Sequence, residues 1–484
     1  MRGVWWYKVR RASVVDACAI ALLLGLFVSQ AVAAPWAWLL VGTGAVLRRR
    51  RQDVLTCACL AVCCFGAGLA RGSAVQQENR IYEQLALRSV VLVGTATQEG
   101  VYGDRSQLTF VVGDVRIASP RNVRLRGDVK VAGFGENSVY RGDTVRVSGK
   151  LFPTRGNTLA SISFAQLRVL GRGASPVDEL RRRFAAGVQS ALPDPQASFG
   201  LGLLIGQRST LPADASRVLL MAGLTHLIAV SGYNLTIIVQ AVRRAARARS
   251  AYQTLVFTVA LISLFLLLTG SSPSIVRASI ISIMGLLAWY YGRPLRPTVL
   301  LLVAAALSGL ATPEYVWGNV SWYLSFLAFF GVLVMAPLVT GRLFGKRRPP
   351  LIVQMLIETL CAEAMTAPYL LHVFGQLSVF ALPANLLVAA AVPLAMLLCL
   401  IAGLAGMLVP ALAGWLSWPA KVLLTYMLDV AGWLSRLPHS FLEQLMFPLA
   451  AMLLCYAVIA ATLAILARKQ WKSEQIEDII TEKN

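Results

Sequence analysis

The chain has 484 residues, of which 57% are hydrophobic and only 14% are charged, and its formal net charge is +22. A soluble protein of this length could not cover so much apolar surface with so few charges. Apolar stretches close to the roughly 20 residues that cross a bilayer recur along most of the sequence. This composition excludes a soluble globular protein and predicts a polytopic α-helical membrane protein of the cytoplasmic membrane.

The positive charge and the cysteines are both explained by the membrane. Basic clusters such as 48–51, 243–249 and 468–472 flank apolar segments, as expected for cytoplasmic loops. The net charge therefore does not by itself indicate a nucleic-acid partner. All 8 cysteines fall in apolar segments and the chain has only 3 histidines, so we predict no metal site and no cofactor.

Residues 1–75 are predicted to form an N-terminal group of transmembrane helices. Apolar segments lie near 13–34, 36–47 and 54–71, and the second of these is short. The basic start followed by a long apolar run predicts an uncleaved first helix rather than a signal peptide. With the N-terminus and the basic cluster inside, the third segment leads outward.

Residues 76–175 are predicted to form an extracytoplasmic domain, because short alternating strands separated by Gly, Asp and Asn replace the apolar runs. Several such strands indicate a small β-barrel, and an OB-like barrel fits the length. Residues 88–172 contain 13 Lys or Arg against 6 Asp or Glu, with aromatic residues interspersed.

Two interpretations of this outer domain stay open. In the first, the aromatic residues fill the barrel and the basic residues are solvated. In the second, DNA bases stack on the aromatic residues in a groove where basic side chains follow the phosphates. Under the second interpretation the predicted DNA-binding residues are Arg124, Arg126, Lys130, Phe134, Arg146, Lys150 and Phe152.

Residues 176–195 predict an amphipathic helix at the outer membrane surface. Residues 196–467 contain the remaining apolar segments, among them 218–242 and 378–408, and a first piece at 197–206 that we interpret as re-entrant. Basic loops alternate with loops that lack Lys and Arg. About twelve crossings, some broken or re-entrant, with both termini cytoplasmic satisfy this pattern, and 468–484 form a cytoplasmic tail.

Polar residues interrupt the apolar segment 218–242. They are His226, Ser231, Gly232 and Asn234. Ser231-Gly232 is a natural point for a helix to break, and broken helices build transport sites near the middle of the membrane. The alternative is ordinary hydrogen bonding between packed helices.

A second polar patch begins at Ser272, which with Pro273 predicts a helix start whose positive end faces outward. Arg277 follows just over one turn into that helix, where a buried guanidinium costs at least ~2.5 kcal/mol unless it is paired or hydrated. We interpret Arg277 as functional, and snorkelling to the outer interface is the alternative. The other polar positions assigned to a path through the membrane are Asn319, Ser325 and Asn385, and packing between helices is the alternative for Asn319 and Ser325.

Two glutamates and several missing motifs bear on the chemistry. Glu358 and Glu363 lie in an apolar run, and either could partner an arginine. The chain has no Gly-x-x-x-x-Gly-Lys-[Ser/Thr] phosphate loop, so no ATPase is predicted within it. No Gly-x-Ser-x-Gly elbow surrounds Ser231, and His226 lies about 140° away from it around a helix. We predict a channel or transporter rather than an enzyme.

These patches, in this order, resemble the ComEC competence family, the DNA-uptake channels of naturally transformable bacteria. The resemblance covers most of residues 80–400 and is most specific in the Gly-Leu-x-His-Leu-x-Ala-x-Ser-Gly string that starts at Gly223. It is also carried by 140–151, 202–208, 269–278, 324–328 and 384–386. Two features depart from the family. The chain ends shortly after its last predicted span, where many members carry a metallo-β-lactamase-like domain, and Tyr233-Asn234 stand where Leu-His is commoner.

The resemblance implies that the chain carries single-stranded DNA inward during natural transformation. The outer domain would bind the incoming strand and the helical core would form the conduit through the lipid bilayer. The implied partners are a separate DNA receptor outside, a separate nuclease, and a separate ATP-driven motor and single-strand-binding proteins inside. A small-solute permease with a broken-helix site is the alternative, and an intramembrane serine hydrolase using Ser231 is the least favoured.

Overall fold

The computed structural model describes residues 11–32, 54–102, 107–119, 123–125, 127–136, 138–154, 158–173, 175–207, 210–228, 235, 239, 250–269, 273–293, 296–345, 347 and 349–482. Most of these residues are helical, and one sheet domain is inserted after the second described helix. Helices α1 and α2 span Arg11–Val28 and Val54–Gln84.

The helices that follow the sheet domain are numbered in chain order. They are α3 (Pro176–Ala191), α4 (Gln196–Ile205), α5 (Ala213–Met221), α6 (Thr225–Ile228), α7 (Ala251–Thr269), α8 (Pro273–Tyr290), α9 (Pro297–Ala311), α10 (Glu314–Gly318), α11 (Val320–Phe330), α12 (Ala336–Phe344), α13 (Leu351–Phe374), α14 (Ala381–Ala389), α15 (Val392–Leu408), α16 (Pro410–Ser435) and α17 (Leu449–Glu482). A π-helical turn, Gly331–Met335, joins α11 to α12.

Several helices have the length and composition of membrane spans. Among the described residues, three are long and apolar enough to cross a membrane, namely Cys57–Gln84, Val320–Phe344 and Leu449–Leu466. The pair α14 and α15, bent by 54° at a short break, adds a fourth if the two helices form one broken span. Shorter apolar helices are Ser13–Val28, Gln196–Ile205, Ala251–Leu267, Ser274–Tyr290 and Pro297–Ala311. This architecture is compatible with a membrane protein, and the count of about twelve crossings stays a prediction.

Helices α1 and α2 pack backbone against backbone. A side chain at Gly68 would collide with the carbonyl oxygen of Leu22, and one at Gly72 would collide with the hydroxyl of Ser29. Small residues four apart allow the close approach that holds helices together in lipid, where apolar burial gives no driving force. Because residue numbers rise together along the two contact lines, the helices run parallel.

The predicted apolar segment 218–242 is not one continuous helix. Helix α5 ends at Met221, and Gly223 adopts a φ of +74°, in the left-handed region that glycine reaches without strain. A side chain at Gly223 would also lie 2.6 Å from the Cβ atom of Ala381. The chain therefore breaks before the predicted break at Ser231-Gly232, which lies outside the described residues.

The segment 378–408 is broken as well, although not at Pro383 or Asn385. Helix α14 continues through both residues and ends at Ala389, and α15 begins at Val392. Two short strands, β8 (Leu377–Ser378) and β9 (Phe441–Leu442), pair antiparallel just before α14. Asn385 therefore lies on a regular helix that follows a fixed turn.

The inserted domain is a seven-stranded sheet. Its strands are β1 (Ser89–Ala96), β2 (Val101–Tyr102), β3 (Leu108–Ser119), β4 (Val123–Arg124), β5 (Val129–Phe134), β6 (Thr144–Pro153) and β7 (Ala160–Gly171). The order is β1-β6-β7-β5-β3-β2, with β4 on β3 and an additional pairing of β1 with β3. Strands β5 and β7 run parallel, and the other paired strands run antiparallel. Apolar side chains such as Val145 and Val147 alternate inward and form the core.

A buried carboxylate ties this sheet to helix α3. Asp143 is fully buried, and its two oxygens accept hydrogen bonds from the backbone N–H groups of Tyr140 (2.9 Å) and Gly173 (3.1 Å). The guanidinium of Arg172 lies 5.3 Å from the centre of the Tyr140 ring. The turn at 140–143 and the chain entering α3 are thereby held as one unit.

Helix α3 was predicted to lie at the outer membrane surface, and its apolar face contacts protein. Gly187 packs against the backbones of Gly403 and Gly406 on α15. On the opposite side Arg182 and Arg183 form ion pairs with Glu179. Two residues depart from the predicted pattern, because Arg181 is buried and Leu180 is exposed. The placement of this helix at a membrane surface stays a prediction.

The packing of α1 on α2 makes a stability prediction. Gly68→Ala forces two helix backbones apart, so we expect it to lower the free energy of unfolding by about 1–3 kcal/mol. Gly285→Ala, on α8, is the matched control because its Cβ would meet nothing within 4 Å. The measurement is the thermal unfolding of each purified variant in detergent. Equal unfolding temperatures for both variants would contradict the close contact.

Candidate functional site

Some predicted site residues lie outside the described residues, and the others fall into three groups in the structure. Arg126, Ser231, Gly232, Asn234 and Ser272 lie outside the described residues. Arg277, Asn319 and Ser325 lie at the contact of α8 with α11, and His226 and Asn385 meet at the Gly223 break. The remaining predicted residues belong to the sheet domain.

Arg277 has the largest fully buried side chain among the described residues. It is the fifth residue of α8, about 6 Å along the helix axis from its start. Its Nη2 donates to the backbone carbonyl of Ser321 at 2.9 Å, and its Cζ lies 5.3 Å from the centre of the Phe326 ring. Nε and Nη1 have no hydrogen-bond partner among the described residues.

The guanidinium is buried against α11, and the functional interpretation of Arg277 stays a prediction beside the snorkelling alternative. A guanidinium carries five N–H donors, and a buried charge without acceptors costs several kcal/mol. An anion or water at this place would supply the missing acceptors.

Asn319 supports this site instead of facing open space. It is buried, and its side-chain oxygen accepts a hydrogen bond from the backbone N–H of Trp322 at 2.8 Å, which caps the start of α11. The cap fixes the first turn of α11, which carries the Ser321 carbonyl that binds Arg277. Ser325 is half-buried one turn further along the same helix.

A second polar cluster forms at the Gly223 break. The Nδ1 atom of His226 lies 3.1 Å from the carbonyl oxygen of Gly223, and the side chain of Asn385 is also within hydrogen-bonding reach of His226. Asn385 in turn donates from Nδ2 to Oε1 of Glu363 on α13, at 3.4 Å. The hydroxyl of Ser378 holds the break by donating to the carbonyl of Met221 at 2.7 Å. The structure thus joins two predicted site residues and adds Glu363.

The sheet domain presents aromatic and basic side chains together on the outer faces of β5, β7 and β6. This outer aromatic–basic surface consists of Lys130, Phe134, Arg146, Lys150, Phe152, Phe164 and Arg168, which are all exposed. The three rings are 47%, 39% and 61% exposed for Phe134, Phe152 and Phe164. Ser161 of β7 pairs with Lys130 on one side and Phe152 on the other, so those two lie about 10 Å apart.

Phe164 was not among the predicted site residues. The register of β7 against β5 shifts between Val131 and Gly133, and at this irregularity Phe164 adopts a φ of +55°. The bulge turns the ring outward, because it interrupts the regular inward–outward alternation of side chains along β7. Arg124, which was predicted to contribute, lies on β4 and forms an exposed ion pair with Asp114 at 2.6 Å.

Two carboxyl groups lie where the sheet domain meets the membrane helices. Asp128 directly precedes β5. Burial, together with the charge of Glu314, raises the pKa of the Asp128 carboxyl. Glu314, the first residue of α10, is buried and accepts a hydrogen bond from Nδ2 of Asn79 at 3.5 Å. Among the described residues no third His, Cys, Asp or Glu joins them to form a metal site.

Comparison with known proteins gives a family match for the membrane half of the chain. Residues 203–469 match a family model described as Competence protein. The chain is 23% identical over 214 residues to ComE operon protein 3 of Bacillus subtilis (strain 168), and the alignment covers 43% of this chain and 26% of that protein. The chain therefore spans about a quarter of the length of that relative. No solved structure matches the chain.

The joint at Asp128 makes a pH-dependent prediction. Because the folded pKa of this carboxyl is raised, the folded state is favoured most below the unfolded value of about 3.9 and loses that stability as the pH rises through the folded pKa. Asp128→Asn should therefore raise the unfolding temperature at neutral pH, and the difference should vanish near pH 3. Asp114→Asn, in an exposed ion pair, is the control and should change little. A destabilised Asp128→Asn variant at pH 7 would contradict the assignment.

Proposed function

We propose that this chain, which belongs to the competence protein family, carries single-stranded DNA inward across the cytoplasmic membrane during natural transformation. The family suggests a role in DNA uptake, and residues 203–469 match its model. The main observation in support of a conduit is the burial of Arg277. Its guanidinium is fully buried, and two of its nitrogens lack partners among the described residues. A charge held in this way within apolar helices is suited to a passing anion.

The chemistry of such a passage follows from Arg277. A phosphate would accept hydrogen bonds from Nε and Nη1, and arginine–phosphate pairs are strong because the donor fork matches the acceptor oxygens. The strand moves on when the next phosphate takes the place of the first. His226, Ser325 and Asn385 would add polar lining, and Ser231, Gly232, Asn234 and Ser272 stay assigned to the same path. The role of Asn319 is to hold α11 in place.

The outer domain is proposed to be an OB-like barrel that receives the strand. Strand β1 pairs with both β6 and β3, and β5 pairs parallel with β7, which supports a barrel in which the strand order returns to its start. The outer aromatic–basic surface supports binding of a single strand, because exposed rings stack on bases and basic side chains follow the phosphates.

The proposed arrangement is a multi-pass protein of the inner membrane with both termini in the cytoplasm and about twelve crossings. The parallel packing of α1 and α2 supports it, since two parallel helices begin on the same side of the membrane. A DNA receptor outside, a nuclease, and a motor and single-strand-binding proteins inside are proposed as separate partners. The chain itself is proposed to act as a channel and not as an enzyme.

A small-solute permease is the second candidate, because the broken segments at Gly223 and after Ala389 are also typical of transport sites. The exposed rings and basic side chains of the outer domain favour DNA over a small solute. Uptake of a metabolite by liposomes containing the chain, unaffected by added single strands, would favour the permease.

The proposed role of Arg277 predicts a loss of uptake without a loss of protein. Arg277→Met removes an unpaired buried charge, so membrane abundance should stay equal or rise, since apolar replacements of buried charges are often neutral or stabilising. Natural transformation should fall by about tenfold or more, because the phosphate loses a charged partner worth ~1.5–3 kcal/mol. Arg71→Met is the matched control, since Nε of Arg71 donates to the carbonyl of Leu310. Unchanged transformation with Arg277→Met would exclude the role.

The outer surface predicts strand binding by the full-length protein in detergent. Phe134→Leu combined with Phe164→Leu should weaken binding of a fluorescent single-stranded oligonucleotide by ~1–3 kcal/mol for each lost stack. Binding of the unmodified chain should also weaken steeply with salt, as expected when basic side chains release counterions. Tyr291→Leu, which removes an exposed ring directly after α8 and outside the sheet domain, is the control. Absence of binding at low salt would leave the outer domain as a scaffold.

A further inference from the structure

The break at Gly223 brings together polar side chains from three separate elements. His226 comes from α6, Asn385 from α14 and Glu363 from α13. The contact depends on glycine at 223, because its φ of +74° and its approach to Ala381 leave no room for a side chain. Asn385 lies one helical turn beyond Ala381, which places its amide beside the imidazole. The cluster is therefore built by the fold and not by neighbours in sequence.

The hydrogen-bonding groups fix the orientation of each member. A backbone carbonyl only accepts, so the Nδ1 atom of His226 must carry a proton and donate to Gly223. Asn385 turns Nδ2 towards Glu363, whose Oε1 accepts the hydrogen bond at 3.4 Å. That choice leaves the amide oxygen and the second N–H of Asn385 for the far nitrogen of His226. Glu363 thereby determines which end of the amide the imidazole meets.

No evident structural role explains why an ionisable residue stands at position 363. It is half-buried in the middle of a 24-residue helix, and among the described residues no Lys or Arg forms an ion pair with it. A carboxyl group at such depth is costly unless it is hydrated or serves a function. The side chain of His226 is exposed, although the cluster lies within the helical half of the molecule.

We propose that Glu363 is a positioning residue of the translocation path, which acts through Asn385 to fix the ring orientation and protonated nitrogen of His226. The hydrogen-bonded row Glu363–Asn385–His226 lines the path with donors and acceptors that a sugar–phosphate strand can contact in turn. This assignment depends on the proposed function for its purpose, and the arrangement of the three side chains can be tested without it.

The first experiment measures natural transformation with variants matched along α13. Glu363→Leu should lower transformation by about tenfold or more, since the Asn385 amide loses its orienting acceptor. Glu363→Gln keeps an acceptor oxygen and should restore most of the activity. Glu358→Leu is the control on the same helix, where Glu358 accepts from Gln354 at 2.8 Å and contacts neither Asn385 nor His226. Membrane abundance is measured for each variant. Equal losses with Leu and Gln at position 363 would overturn the positioning role.

The second experiment does not depend on DNA. His372→Gln with His439→Gln leaves His226 as the single histidine, and its ring nitrogens are observed by NMR of the purified, isotope-labelled protein. Nδ1 should carry the proton, and Glu363→Leu should shift the ring signals although Glu363 does not touch His226, whereas Glu358→Leu should not. Unaltered signals with Glu363→Leu would overturn the proposal whatever transformation shows. Shifted signals in a protein whose deletion leaves transformation intact would preserve the arrangement and reject the proposed function.

Discussion

The unpaired charge of Arg277 is the constraint around which the membrane half of the molecule is arranged. A guanidinium buried among apolar helices persists only where neighbours hold it and something supplies the remaining acceptors. The Asn319 cap fixes the first turn of α11, the Ser321 carbonyl then accepts from Nη2, and the Phe326 ring lies beside the charge. Among the described residues these contacts satisfy one nitrogen and leave two without an acceptor. This combination is what a transient anionic ligand requires.

The sheet domain is attached to the helical half of the molecule by two sets of contacts. Asp143 fastens the sheet to α3, and α3 packs through Gly187 onto α15. Asp128 and Glu314 meet where the sheet approaches α10, and the chain passes directly from α10 into the turn that contacts Arg277. The sheet domain that carries the outer aromatic–basic surface is therefore held in a fixed position relative to the helices. A DNA strand bound there would have a fixed position relative to them as well.

Much of this arrangement could be predicted from local sequence, and the exceptions share a cause. Composition identified a membrane protein, strand alternation identified the outward side chains Arg146, Lys150 and Phe152, and the cost of a buried charge singled out Arg277. The break at Gly223 was missed because it depends on contact with Ala381, far along the chain. Glu363 could not be assigned a partner for the same reason, since Asn385 reaches it only after α14 has folded back. Phe164 escaped because a bulge interrupts the alternation.

Crosslinking tests most directly whether DNA contacts the buried site while it crosses the membrane. A photoreactive phenylalanine at position 326, whose ring lies 5.3 Å from the Arg277 guanidinium, would be activated in competent cells that are taking up labelled DNA. The same residue at position 267, which is exposed on α7, serves as the reference. A wet passage past Arg277 predicts single strands crosslinked at 326 and not at 267. Crosslinks to protein or lipid alone at 326, in cells that internalise DNA normally, would contradict it.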